Sequence, residues 1–189
     1  EKSTNQANWK EVIGHRDDVF LEGIELFRNH LVVEERKNGL MVLRIIDERT
    51  KEEHYLEFQD PAYTAYSGTN PDFETDTFRF GYTSMSTPSS VYDYDMNTRE
   101  KILLKQAEVV GGYNVDEYIT ERQYVPSRDG KKVPISIVYK KGFVKNGQAP
   151  LLLYGYGSYG ANIDPYFSSV RLSLLDRGFV YVIAHIRGS

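Results

Sequence analysis

The chain has 189 residues, 40% of them hydrophobic and 26% charged, the composition of a folded globular chain of one or two domains rather than of a disordered one. Its 23 basic and 27 acidic residues leave a net charge of -4, which gives no support to a nucleic-acid partner and some to cationic ones. There is no cysteine, which excludes disulfides and thiolate metal sites, and no apolar run approaches the roughly 18 to 20 residues of a membrane span.

Taken from the N-terminus, the opening EKSTNQANWKEV has no apolar secretion core, and a cytoplasmic chain is expected. The first hundred residues then read as a β meander. Segments 20–22, 24–27 and 31–35 are strand-like, and Asn38-Gly39 is a two-residue hairpin signal leading into a strand at 40–46. Further strands are expected at 55–58, 63–67, 77–84, 91–94 and 102–104. The strand pair 31–35 and 40–46 recurs as 78–83 and 91–95, an offset of between 40 and 50 residues that matches the blade length of a propeller. Strand recurrence by itself leaves a β-sandwich open.

Asn97, Gly111-Gly112 and Asn114 mark the exit from the meander, with a domain boundary near residue 112 and a linker over 115–122. Strands at 121–126 and 133–139 flank the Asp129-Gly130 hairpin signal, and 140–149 is a polar loop. The run Leu151-Leu152-Leu153-Tyr154, short and bounded by a proline and glycines, reads as a buried strand. Val170, Leu172, Leu174 and Leu175 mark a helix whose stop is Gly178, and 179–186 is almost wholly apolar, as a parallel strand covered on both faces would be. The resulting order, strand, loop, helix, strand, after two antiparallel strands is the opening of an α/β-hydrolase.

The loop Gly155-Tyr156-Gly157-Ser158-Tyr159-Gly160 is the best site candidate, because its glycines allow close approach and its tyrosines carry a polar tip on a large surface. Gly155, Gly157 and Gly160 also spell G-x-G-x-x-G, the mark of a nucleotide-binding oxidoreductase. That function needs a helix opening straight from the loop and an acid ending the next strand, whereas here Pro165 intervenes and the strand ends in Ala184-His185-Ile186. A serine hydrolase needs G-x-S-x-G at a strand-to-helix elbow, followed by an acid and a histidine. Ser158 has the wrong glycine spacing, and Ser158, Asp164 and His185 are too close in sequence for a triad spread over separate strands. His185 reads as structural. Asp93 with Asp95, and Asp72 with Glu74 and Asp76, lack EF-hand spacing and read as solvated acidic edges, so no metal or other cofactor is expected.

Several longer motifs carry a resemblance. Tyr154-Gly155-Tyr156-Gly157-Ser158-Tyr159-Gly160, the run Arg171-Leu172-Ser173-Leu174-Leu175-Asp176-Arg177-Gly178-Phe179-Val180, and His185-Ile186-Arg187-Gly188 resemble the prolyl oligopeptidase family of serine peptidases, most closely its oligopeptidase B (protease II) members. Upstream, Asp18-Val19-Phe20-Leu21-Glu22-Gly23, Leu31-Val32-Val33-Glu34-Glu35-Arg36 and Asp60-Pro61-Ala62-Tyr63 extend the likeness over nearly the whole chain. Where the family continues Arg-Gly-Gly-Gly, this chain has Ser189 after Arg187-Gly188.

The resemblance implies a mixed β and α/β chain: the last two blades of a seven-bladed β-propeller over 1–112, then an incomplete α/β-hydrolase domain over 113–189. It implies that Tyr156 donates its hydroxyl to the oxyanion, and that Tyr159 and Gly157 belong to the substrate pocket. The substrates implied are short peptides cut after Arg or Lys. The serine, aspartate and histidine of the triad are absent, so a chain inactive alone is expected, associating with itself through unpaired strand edges. A stand-alone β-rich binding module, with Tyr156 at its ligand loop, is the rival from another class.

Overall fold

The computed structural model describes residues 5–187, which form three four-stranded sheets. The first sheet is a meander of β1 (Val19–Leu26), β2 (His30–Lys37), β3 (Leu40–Asp47) and β4 (Glu53–Tyr55), in that order. The two strand-like segments expected over 20–27 are one strand, broken by a bulge between Leu21 and Gly23 that makes Glu22 the extra residue. Asn38 and Gly39 both take positive φ, 53° and 77°, as the tight turn between β2 and β3 demands. β4 starts and ends earlier than expected. Its apolar continuation leaves the sheet to fill the core, where Leu56 is buried and Phe58 stacks on Tyr82 with ring centroids 4.6 Å apart.

The second sheet repeats the pattern with β5 (Tyr63–Ser67), β6 (Thr77–Ser84), β7 (Ser90–Asp95) and β8 (Lys101–Gln106). The repeat reaches the turns. Asp47 Oδ1 accepts from the amides of Arg49 and Thr50, and 48 positions later Asp95 Oδ1 accepts from those of Asn97 and Thr98. Each turn then closes through a residue in the left-handed region, Lys51 at φ 64° and Arg99 at φ 67°. One aromatic-rich core lies between the two sheets: Val32, Leu43 and Ile45 face Phe78, Phe80 and Tyr94, and Phe27 meets Phe78 edge-on at 6.2 Å.

Among the acids considered as an edge, Asp93 pairs with Arg79, Glu74 with Arg28, and Asp72 accepts from the Glu74 amide. Local turns and arginines engage them.

The third sheet has the order β11-β12-β10-β9, with β9 (Tyr118–Pro126), β10 (Lys132–Lys140), β11 (Leu151–Tyr154) and β12 (Val180–Ala184). Only β11 and β12 run parallel. The expected linker is partly strand, since Tyr118 to Thr120 already pair with Lys140 to Val138 after a short 3-10 turn at Val115–Glu117. The single α-helix described, α1 (Ser169–Leu175), lies against β10 and β12 and ends as the sequence indicates: Gly178 turns at φ 86° and the Phe179 amide returns to the Leu174 carbonyl.

The β6–β7 turn locks the second sheet to the third. Met85 is 2% exposed and packs among Val138, Leu175 and Ile183, while Ser86 Oγ meets Thr120 Oγ1 at 3.0 Å. Tyr113 stacks on Tyr118 and meets Phe167 edge-on.

One expectation fails. Leu151, Leu152, Leu153 and Tyr154 are exposed rather than buried, because β11 is the sheet edge and, among the described residues, no element lies over it. Phe20, Leu21, Ile24 and Leu26 on β1, and Ile102, Leu103 and Leu104 on β8, are similarly bare. Apolar rows of this kind are surfaces suited to being covered. Among the described residues, no helix is long and apolar enough to cross a membrane.

Candidate active site

The parallel strands β11 and β12 end on the same side of the sheet, and the glycine-tyrosine loop leaves from one as residues 185–187 leave from the other. Carboxyl ends of parallel strands are where α/β sheets place their ligands, since the loops there can vary without disturbing the strand pairing. Residues 155–168 contain no helix or strand. Gly157 is explained by packing: a Cβ at that position would lie 2.8 Å from the Arg187 carbonyl oxygen and 2.9 Å from Ile186 Cγ1. No larger residue fits without moving the neighbouring backbone.

Tyr156 is 42% exposed, and its hydroxyl makes no hydrogen bond among the described residues. Tyr159 is 99% exposed and sits at φ 59°, a region that a tyrosine enters at a cost, directly before Gly160 at φ 70°. Two aromatic side chains thus stand open to solvent beside the strand ends. Gly188 and Ser189, where the chain departs from the Arg-Gly-Gly-Gly pattern, lie outside the described residues.

The tip of the β2–β3 hairpin reaches this side of the third sheet. Arg36, at the end of β2, donates to Asp164 Oδ1 at 2.6 Å and to Glu22 Oε1 at 2.8 Å, while Arg122 donates to the Asn38 carbonyl. A Cβ on Gly39 would lie 3.4 Å from the Cβ of His185. Arg36, Arg122 and Ser136 are not among the site residues expected from the sequence. The Arg36 contact spans 128 positions and has no local signature.

Ser158, Asp164 and His185 do not assemble into a triad. Asp164 is engaged by Arg36, and His185 Nε2 instead meets Ser136 Oγ at 2.8 Å, on a serine that is fully buried. Burial, and then the charges of Arg122 and Arg36, push the His185 imidazole down to about 4, against the opposing pull of Asp164 and of a bond to the Ile163 backbone. Its folded pKa lies below the ordinary 6.5, so its contribution to stability is present above pH 6.5 and is lost as pH falls toward 4. Urea titrations across that window are expected to show a loss of at most about 3 kcal/mol that a His185→Asn variant lacks. Equal slopes for the two proteins would contradict the assignment.

The dinucleotide geometry is also missing. α1 begins at Ser169, well beyond Gly160, so no helix N-terminus opens from the loop to hold a pyrophosphate. An apolar groove of about 570 Å³ lies elsewhere, on the sheet face opposite α1, lined by Ile135, Ile137, Leu151, Leu153, Val180 and Val182. It holds few polar groups and does not include Tyr156.

Residues 2–107 match the family described as prolyl oligopeptidase, N-terminal β-propeller domain. Dipeptidyl aminopeptidase BI of Pseudoxanthomonas mexicana is 48% identical over 98% of this chain and 26% of its own length. Protease 2 of Moraxella lacunata is 34% identical over 94% of this chain and 25% of its own. Among solved structures, oligopeptidase B from Trypanosoma brucei, with covalently bound antipain in a closed form, superposes with a TM-score of 0.84 at 34% identity, covering 94% of this chain and 26% of that one. The chain spans about a quarter of the length of the curated relatives it matches. The sequential meanders of the first two sheets accord with a propeller domain, and the sandwich is set aside. From its first sheet to its last strand, the chain belongs to the prolyl oligopeptidase family.

Proposed function

We propose that this chain is a segment of a serine oligopeptidase that cleaves short peptides after Arg or Lys through an acyl-enzyme. The first two sheets are the last two of seven propeller blades, ending near residue 112, and residues 113–189 open the α/β-hydrolase domain. Tyr156 supplies the oxyanion hydroxyl, with Tyr159 and Gly157 at the substrate pocket. The triad comes from sequence outside this chain, which holds no G-x-S-x-G. One observation carries the reading: the Tyr156 phenol is exposed and unbonded beside the ends of two parallel strands, where a developing oxyanion could receive it.

The test compares the full-length peptidase containing this segment with the chain alone, using an N-acylated arginine amide as substrate. Turnover by the full-length protein only is expected. Turnover by the chain alone that is abolished by Ser158→Ala would overturn the reading. The bare rows on β1, β8 and β11 support self-association of the isolated chain, and a compact monomer in solution would remove that part of the proposal.

A second reading has its own support. The relative at 48% identity is named a dipeptidyl aminopeptidase, which favours release of dipeptides from a free N-terminus. Blocking the substrate's amino group separates the two: the endopeptidase tolerates the block, and a dipeptidyl aminopeptidase is expected to lose its substrate.

A further inference from the structure

We infer that Arg36 is a positioning residue for the tyrosine loop, acting through Asp164 from the opposite unit of the protein. The inference rests on the oxyanion reading of Tyr156. Residues 155–168 form no helix or strand, so the loop's geometry depends on a few side-chain anchors rather than on a backbone ladder. At its start the loop is wedged against Ile186 and Arg187 at Gly157, and at its end the Phe167 amide donates to Thr83 Oγ1. Between them the ionic anchor is Asp164, held by Arg36 at 2.6 Å. Pro165 confines Asp164 further to extended conformations.

The guanidinium is built to hold this position. Its Nε is fixed by Glu22, the residue that the β1 bulge adds, leaving Nη1 aimed at Asp164. The Arg36 side chain is only 14% exposed, and the two carboxylates raise its pKa despite burial, so it stays charged. The hairpin carrying it is seated at a second point, where Arg122 grips the Asn38 carbonyl and Gly39 packs on His185. A planar, two-acid arginine is directional in a way that a lysine is not. The middle of the loop therefore takes part of its position from β2, beside the anchors at Gly157 and Phe167, and the hydroxyl eight residues upstream of Asp164 inherits it.

The test uses the full-length peptidase with an N-acylated arginine amide, and six variants: Arg36→Gln, Asp164→Asn, the two combined, Tyr156→Phe, and each of the first two single changes in the Tyr156→Phe background. Asp164→Asn keeps the side chain's size, removes the charge that Arg36 holds, and covers the case in which Arg36→Gln fails to fold. Each single variant is expected to lower kcat about tenfold with KM within twofold. The double variant is expected to be no slower than either, and the changes to add less than twofold once Tyr156 is phenylalanine. If Tyr156→Phe turns over at the wild-type rate, the oxyanion reading falls and takes this inference with it. If Tyr156→Phe is slow but Arg36→Gln and Asp164→Asn keep wild-type kcat, or lose the same factor in the Tyr156→Phe background, the positioning role alone is overturned.

Discussion

Replacing Glu35 with glutamine is expected to destabilise the chain by about 3 to 5 kcal/mol, the penalty of leaving buried charges without their partner. Glu35 lies on β2 with no solvent exposure, and its carboxylate is the point where three other elements meet. Arg44 on β3 donates from Nε at 2.9 Å and from Nη2 at 2.5 Å, Tyr55 on β4 donates its hydroxyl at 2.8 Å, and Arg16 reaches in from the segment before β1. Burial pushes the carboxyl up, but the bonds from Tyr55, Arg16 and Arg44 outweigh it and hold Glu35 below the ordinary 4.5. Its contribution is therefore present above pH 4.5 and is lost as pH falls through the lower folded value.

Glutamine keeps the shape and removes the charge: with its amide oxygen in the place of Oε1, toward Arg16 and Arg44, its NH2 replaces the oxygen that accepted from the Tyr55 hydroxyl. Among the described residues, the carboxylate left to Arg44 is then Glu53 at 2.8 Å, and Arg16 keeps the neutral Tyr55 hydroxyl at 3.1 Å. Removing the pair together, as Glu35→Leu with Arg44→Met, is expected to cost less than Glu35→Gln, because no unpaired charge remains. Urea midpoints at pH 7 measure both. A loss below about 1 kcal/mol for Glu35→Gln would show that the site relaxes or admits water, and the network would then be peripheral.

What the sequence made legible follows the range of each interaction. The turn at Asn38-Gly39 and the helix stop at Gly178 depend on the backbone freedom of the residues that form them, and both stand where expected. The repeated strand pairs are visible because each meander is built from neighbours in sequence. β4 ends earlier than expected because Leu56 and Phe58 have the alternation of a strand, yet past the Leu56 amide, which still bonds the Leu43 carbonyl, Phe58 turns to stack on Tyr82, a partner 24 positions along the chain. The exposure of β11 was hidden for a related reason: an apolar run shows that a strand suits burial, not that anything covers it. Arg36, Asp164 and Glu22 were invisible as a group, since their meeting depends on how the β2–β3 hairpin sits against the third sheet.

Tyr156→Phe is expected to lower kcat of the full-length peptidase by about 100- to 1,000-fold, the cost of one oxyanion donor, with KM little changed. The asymmetry follows from where charge resides. A carbonyl oxygen in the bound substrate is neutral and asks little of the phenol, whereas the tetrahedral intermediate carries a full negative charge and is stabilised most by a donor already in place. Tyr156 meets the structural requirement, because its hydroxyl has no partner among the described residues to surrender before it can turn to substrate. Loss of the hydroxyl removes no buried hydrogen bond, so the melting temperature is expected to stay within about 2 °C of wild type, as for a benign surface change. Tyr159→Ala serves as the control: its ring is almost wholly exposed, and a role in shaping the pocket predicts a change in KM with kcat preserved. If Tyr156→Phe instead unfolds the protein and leaves the kcat of the folded fraction intact, the phenol is a packing element, and the oxyanion donor must be sought outside residues 155–160.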